Sequence, residues 1–342
     1  FLAIAALVDM AFPYTALHGP SDNEPDDRKC LSATEFYAST MDACLELTGF
    51  GRHLHTMLGC IEDWNRRKAM SAPDCKVISF VNLKGGVGKT ALSVNFAAYC
   101  AREGFKTLLI DLDPQTNATF SCMSYEDWQA HAKKHGSVAD LFGLRRHTSA
   151  EGKAKTAKEV YKENALEDVD LIPSHLDLFT IDLDLGQEMA REKILKRSLK
   201  GFVEGYDFVI CDCPPNLTLP TQNAVAISTH YIVPVSPDFL SGVGVGLLLS
   251  RIKKMADTLE AEIAHAGIVM CRVGRRSHFR SQTTQALRQT FQSDVLNAEI
   301  TERSAVAESA AKNQSVFASS DAEAKREFGE FGAELLKRIG AK

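Results

Sequence analysis

No two of the nine cysteines in this chain stand at Cys-x-x-Cys spacing; only Cys211 and Cys213 are close together. An odd count without that spacing offers neither a disulfide framework nor a zinc cage, and it suits a reducing compartment. Long apolar runs are also missing: none approaches the ~20 residues that span a bilayer. The short apolar start Phe1–Val8 meets Asp9 and has no basic residues before it, so it lacks the pattern of a signal peptide. No internal repeat is visible. An excess of positive charge is absent too, since 39 Lys and Arg face 44 Asp and Glu for a net charge of −5. That balance excludes wholesale coating of nucleic acid and leaves any such contact to a local patch. What remains is an ordinary globular composition, 45% hydrophobic and 24% charged, in 342 residues, a length that allows two domains.

Residues 1–31 read as a disordered or non-native leader, because the stretch 18–29 (HGPSDNEPDDRK) is polar, acidic and broken by proline. Residues 32–74 read as an N-terminal helical extension. Phe36, Met41 and Leu45, then Leu54, Met57, Leu58, Ile61 and Trp64, recur at helical spacing on either side of a Gly-Phe-Gly break at 49–51. From 75 to 342 short apolar runs alternate with amphipathic segments, which predicts an α/β domain with a mostly parallel twisted sheet flanked by helices. Strands are expected at 77–83, 107–111, 169–173, 208–212, 231–235, 267–271 and 295–298. Helices are expected at 89–103, 188–200, 219–228, 243–260, 281–292 and 322–339. The lysine-rich stretch 145–168 reads as a solvated excursion.

The chemistry concentrates at three places. Lys84-Gly85-Gly86-Val87-Gly88-Lys89-Thr90 lies between an apolar strand and a helical pattern. Glycines there let the backbone bend and point its N–H groups inward, and the helix start adds the positive end of its dipole. Lys89 would then meet the β/γ-phosphates of a nucleotide, with the Thr90 hydroxyl on Mg²⁺. The strand ending Leu108-Leu109-Ile110-Asp111-Leu112-Asp113 delivers two carboxylates to the carboxyl edge of the sheet, where ligands sit in open parallel sheets. Either carboxylate also reads as a strand-end cap of the following turn, Asp111 more readily than Asp113. A third carboxylate, Asp212, ends the run Phe208-Val209-Ile210-Cys211 and precedes Cys213-Pro214-Pro215. That is the Walker B arrangement for holding Mg²⁺.

The loop Lys84–Thr90 departs from the general P-loop pattern at Leu83. It resembles the deviant Walker A loop of the ParA/MinD family of dimeric P-loop ATPases, and the stretches DLDPQTNAT and DCPP resemble that family's later motifs. The resemblance covers roughly residues 75–340. It implies a P-loop NTPase-type fold with ATP and Mg²⁺ as cofactors, and Lys84 as the lysine that crosses to a partner's nucleotide. It further implies that Lys84 to Ala91 line the phosphates, Ala91 lacking the hydroxyl found in many members. Lys84, Lys89 and Asp113 would serve hydrolysis, with Asp113 positioning the attacking water; Thr90, Asp111 and Asp212 would serve the metal. Pro237 and Asp238 stand where family members contact the base, although Pro237 reads equally as a turn residue. Partners implied are a second copy in the presence of ATP, non-specific DNA, and a ParB-like or adaptor protein that stimulates hydrolysis. The setting implied is cytoplasmic and nucleoid-associated, without stable membrane insertion. Arg272, Arg275, Arg276 and Arg280, with His278, are the candidate DNA contacts, ahead of Arg303 and Lys312. Two alternatives stand beside this. A MinD-like membrane switch would use the apolar stripe Phe328, Phe331, Leu335, Leu336 and Ile339, which the acidic Glu327, Glu330 and Glu334 interrupt. An iron-protein-like redox carrier would need a cysteine partner for Cys213.

Overall fold

The computed structural model describes residues 75–144, 155–237, 241–273 and 278–341, so the leader and the helical extension expected before residue 75 lie outside it. In chain order the main elements are β1 (Lys76–Phe80), α1 (Lys89–Arg102), β2 (Thr107–Asp111), α2 (Asn117–Cys122), α3 (Tyr125–Lys134), β3 (Lys162–Leu166), β4 (Val169–Ile172), β5 (Phe208–Asp212), α4 (Leu219–Ile227), β6 (His230–Val235), α5 (Ser241–Leu259), β7 (Ala264–Val273), α6 (His278–Phe291), β8 (Val295–Thr301), α7 (Ser304–Ala311) and α8 (Ala322–Arg338). They form one eight-stranded sheet among the described residues, in the order β3-β4-β2-β5-β1-β6-β7-β8. Every neighbouring pair is parallel except β3 with β4.

Strands covered on both sides bury every residue, and β2 and β5 do so along their whole length. Period-2 alternation sends Val77, Leu108, Ile110, Val209, Cys211, Val233 and Val235 into one core layer. It sends Ile78, Phe80, Leu109, Phe208, Ile210 and Ile232 into the other. The second layer lies beneath α1 and α8, where Phe96 meets Phe331 with ring centroids 5.8 Å apart and Phe80 at 6.1 Å. The stripe Phe328, Phe331, Leu335 and Ile339 is buried in this layer, with Leu336 partly buried against it. It is core packing, and no membrane-facing stripe exists on α8. No helix among the described residues is long and apolar enough to cross a membrane.

Two expectations need correction. The stretch 145–168 is more than a solvated excursion, because its end forms β3, an antiparallel edge strand on β4. The predicted helix 188–200 is helical only from Ile194 to Leu199, after a tight turn at Arg191–Lys193. Ala190 takes a left-handed conformation with φ of 50°, which breaks the helix there.

Candidate functional site: a phosphate loop and three strand-end carboxylates

β1 ends at Phe80, and the Asn82 side chain accepts the Lys84 N–H at 2.9 Å, which starts the loop toward α1. Gly86 and Gly88 have φ of 72° and 93°, conformations that L side chains rarely adopt. Val87 points the other way and is buried, pinning the loop to the core. Gly88 sits over Cys271 of β7, whose thiol burial pushes well up. Lys89 is buried, and its ammonium donates to the Lys84 carbonyl at 3.2 Å. Burial lowers its pKa, while Asp212 and Asp113 pull it back up.

The carboxylates come from adjacent strands. The pairing of β2 with β5 sets Asp111 opposite Asp212. Asp212 is fully buried, and Thr90 Oγ1 donates to its Oδ2 at 2.8 Å. Its Oδ1 is buried and has no hydrogen-bond partner. Burial pushes the Asp212 carboxyl up to about 7, with Asp113 adding to the shift and the Thr90 hydroxyl and Lys89 opposing it. A buried orphan oxygen beside a hydroxyl fits a hard divalent cation such as Mg²⁺, which Asp212 and Thr90 would hold. Asp113 lines the cleft beside the loop and accepts the Gln115 N–H at 2.9 Å. Burial raises its pKa, against Gln115 and Lys89.

Asp111 is placed differently from Asp212. Its Oδ1 accepts the Asp113 N–H at 3.1 Å, and its Oδ2 accepts the Thr119 N–H at 2.8 Å and the Thr119 hydroxyl at 2.7 Å. Both oxygens are thus engaged in holding the turn into α2. This placement makes Asp111 a strand-end cap, and it also lies opposite Asp212, where its carboxylate would support a metal shell. Burial, then Asp212, holds its carboxyl well above the usual range. Ser174, at the end of β4, supports the same turn: its hydroxyl donates to the Asp113 carbonyl at 2.7 Å, and its own carbonyl accepts the Trp128 indole N–H at 3.0 Å.

The glycine loop, Lys89, Thr90 and Asp113 open into a cleft of about 710 Å³, lined by Gly85, Gly86, Gly88, Lys89, Thr90 and Ala91 at one end. At the other end lie Ile300, Thr301, Glu302 and Arg303, with Val306, Ala307, Ala310, Ala311 and Gln314. Sequence reasoning missed this second end. The signal available was the small face Ala307, Ala311 and Gln314 at helical spacing directly after a strand. Pro237, by contrast, is buried away from the cleft lining. Asp238, Arg275 and Arg276 lie outside the described residues, as do the side chains of Arg272 and Arg280. Cys213 is fully buried, burial raises its thiol well above the ordinary value, and no cluster of three or more metal-binding side chains occurs among the described residues.

A family model of the AAA_31 type, described as an AAA domain, matches residues 75–265, more than half of the chain. The sporulation initiation inhibitor protein Soj of Bacillus subtilis is 30% identical over 220 residues, covering 64% of this chain and 81% of Soj. The chain belongs to the ParA/MinD family of deviant Walker A ATPases. The cell division protein PomZ of Myxococcus xanthus is 31% identical over 238 residues, 70% of each chain. Among solved structures, cobyrinic acid a,c-diamide synthase from Mycobacterium smegmatis with bound ATP analog and magnesium superposes with a TM-score of 0.64 at 26% identity. That match covers 78% of this chain and 95% of the other.

Proposed function

We propose that this protein is a ParA-like positioning ATPase that binds ATP with Mg²⁺, dimerises, holds DNA without sequence preference, and hydrolyses ATP to segregate or position a plasmid, a chromosome or another cargo. One observation carries the nucleotide part: Asp212 keeps a buried, unpartnered oxygen beside the Thr90 hydroxyl, at the mouth of a loop whose lysine is also buried. An empty-handed carboxylate of this kind is costly unless a cation takes it up. Bound Mg²⁺ would neutralise phosphate charge, and Thr90 and Asp212 would hold it. Lys89 would meet the phosphates as a desolvated point charge, and Asp113 would orient the attacking water. The solved relative with bound ATP analog and magnesium supports this use of the cleft. The chromosome-partitioning ATPase Soj of Treponema pallidum, 29% identical over 222 residues, supports a cellular positioning role.

Dimerisation through Lys84, DNA contact through Arg272, Arg275, Arg276 and Arg280, and a ParB-like or adaptor protein that stimulates hydrolysis complete the reading. The test is retention of two unrelated duplexes with no nucleotide, ADP, ATP and a non-hydrolysable analogue across a salt series. ATP-dependent retention of both duplexes is expected. Replacing Arg275 and Arg276 with Glu should flatten the log-affinity against log-salt slope by ~0.9 for each phosphate that is no longer neutralised. Protein that binds ATP but retains neither duplex at any salt would refute the DNA assignment.

A further inference from the structure

The second end of the cleft is shaped by a group that does not line it. β8 ends at Thr301, and α7 begins at Ser304, so the wall turns within Glu302 and Arg303. Both ends of this turn hang on one carboxylate, Glu327 of α8, which is only 6% exposed. Its Oε2 accepts the Thr301 N–H at 2.9 Å, and its Oε1 accepts the Thr301 hydroxyl at 2.8 Å. The same Oε1 accepts from the Arg303 guanidinium at 3.0 Å. Asp321, at the start of α8, adds a longer contact to Arg303 at 3.9 Å. The wall that follows is held at its far end by separate contacts: Asn95 of α1 accepts the Val316 N–H at 2.8 Å, and Asn313 donates to the Phe120 carbonyl at 2.7 Å.

The geometry assigns Glu327 as a positioning residue for the base end of the nucleotide cleft: it fixes the turn 301–303 in place, so that α8 sets how tightly the base is held while leaving the phosphates untouched. The inference rests on the nucleotide reading of the cleft. If the loop 84–90 takes the phosphates, the remaining room lies against Val306, Ala307, Ala310 and Ala311, an apolar surface suited to a flat aromatic base. None of the Glu327 hydrogen bonds reaches the glycine loop, Asp113 or Asp212. Removing the carboxylate therefore loosens one end of the site only. A charge-assisted bond to a buried acceptor is also among the stronger polar interactions, so its removal is large enough to measure.

The test compares two probes, Mg-ATP and magnesium tripolyphosphate, which shares the phosphates but has no base. With Glu327→Gln, affinity for ATP should fall about tenfold, equal to about 1.4 kcal/mol. Affinity for tripolyphosphate and turnover at saturating ATP should stay within about twofold. Glu327→Asp keeps the charge but is one methylene short, and it should show the same split, giving a second reading if the Gln variant folds poorly. Equal losses for both probes would mean a general structural role and overturn the proposal, as would unchanged ATP affinity. Native protein that binds neither probe would overturn the nucleotide reading itself, a result distinct from any of these.

Discussion

Asp212 makes the resting protein sensitive to pH in a direction opposite to that of most carboxylates. Its pKa is raised to about 7, so the folded chain keeps a proton that the unfolded chain releases above pH ~4. The stability tied to this group is therefore fully present at acid pH and is lost as pH rises toward and through 7. In the presence of a chelator, the melting temperature of the native protein should fall relative to that of Asp212→Asn between pH 5 and pH 8. A difference that stays flat over that range would show that Asp212 carries no raised pKa. With Mg²⁺ and ATP added the trend should weaken, because a cation prefers the ionised form. The residue scale is also where the sequence was most readable. The placement of Lys89 and Thr90 at the start of α1, and of Asp113 and Asp212 after β2 and at the end of β5, was legible, because a glycine loop and strand-end carboxylates announce themselves within a few positions. Glu327 was not legible, because its partners Thr301 and Arg303 stand 26 and 24 positions away, and nothing local marks it.

Among the elements, α8 depends on a glycine for its approach to α1. A Cβ placed on Gly332 would come within 2.4 Å of the Tyr99 ring, so the helix lies closer than any other residue would permit. Gly332→Ala should destabilise the protein by ~1–3 kcal/mol, despite the better helix propensity of alanine, read as a lower midpoint in urea. A midpoint that rises would mean the ring moves aside freely. The same packing explains why anionic vesicles should fail to sediment the protein through α8, since its apolar stripe already faces the core. Buried parallel strands were legible to within a few residues, β2 and β5 to the residue, because each is a short apolar run followed by a turn. β3 was not. Lys162, Glu163 and Asn164 are exposed on an edge, so no hydrophobic alternation marks the strand. Its place is set by pairing with β4 and by the Asn164 N–H donating to Asp170 at 2.9 Å. The second end of the cleft was marked only by the small face Ala307, Ala311 and Gln314, because distant contacts from α8, α1 and α2 assemble it.

For the whole molecule, the sheet order places β1 between β5 and β6 and sets β2 beside β5, so the phosphate loop and the carboxylates emerge along one edge. Lys84 is exposed there, while Lys89 is buried. If Lys84 acts across an interface, Lys84→Ala should bind ATP yet show no ATP-dependent doubling of mass by light scattering. Asp113→Ala should double in mass but release phosphate at least ~10²-fold more slowly, because the water is no longer positioned. Normal doubling by the Lys84 variant would remove its proposed role. The hydrogen bonds behind Asp113 reach further than the cleft. Trp128 is one of two tryptophans in the chain, lies 5.5 Å from the His175 ring in a stacked arrangement, and is joined through Ser174 to the Asp113 carbonyl. The protein thus carries a built-in optical gauge: any displacement of the Asp113 turn pulls on the indole, and its ultraviolet emission would report the turn's position during turnover without an attached dye.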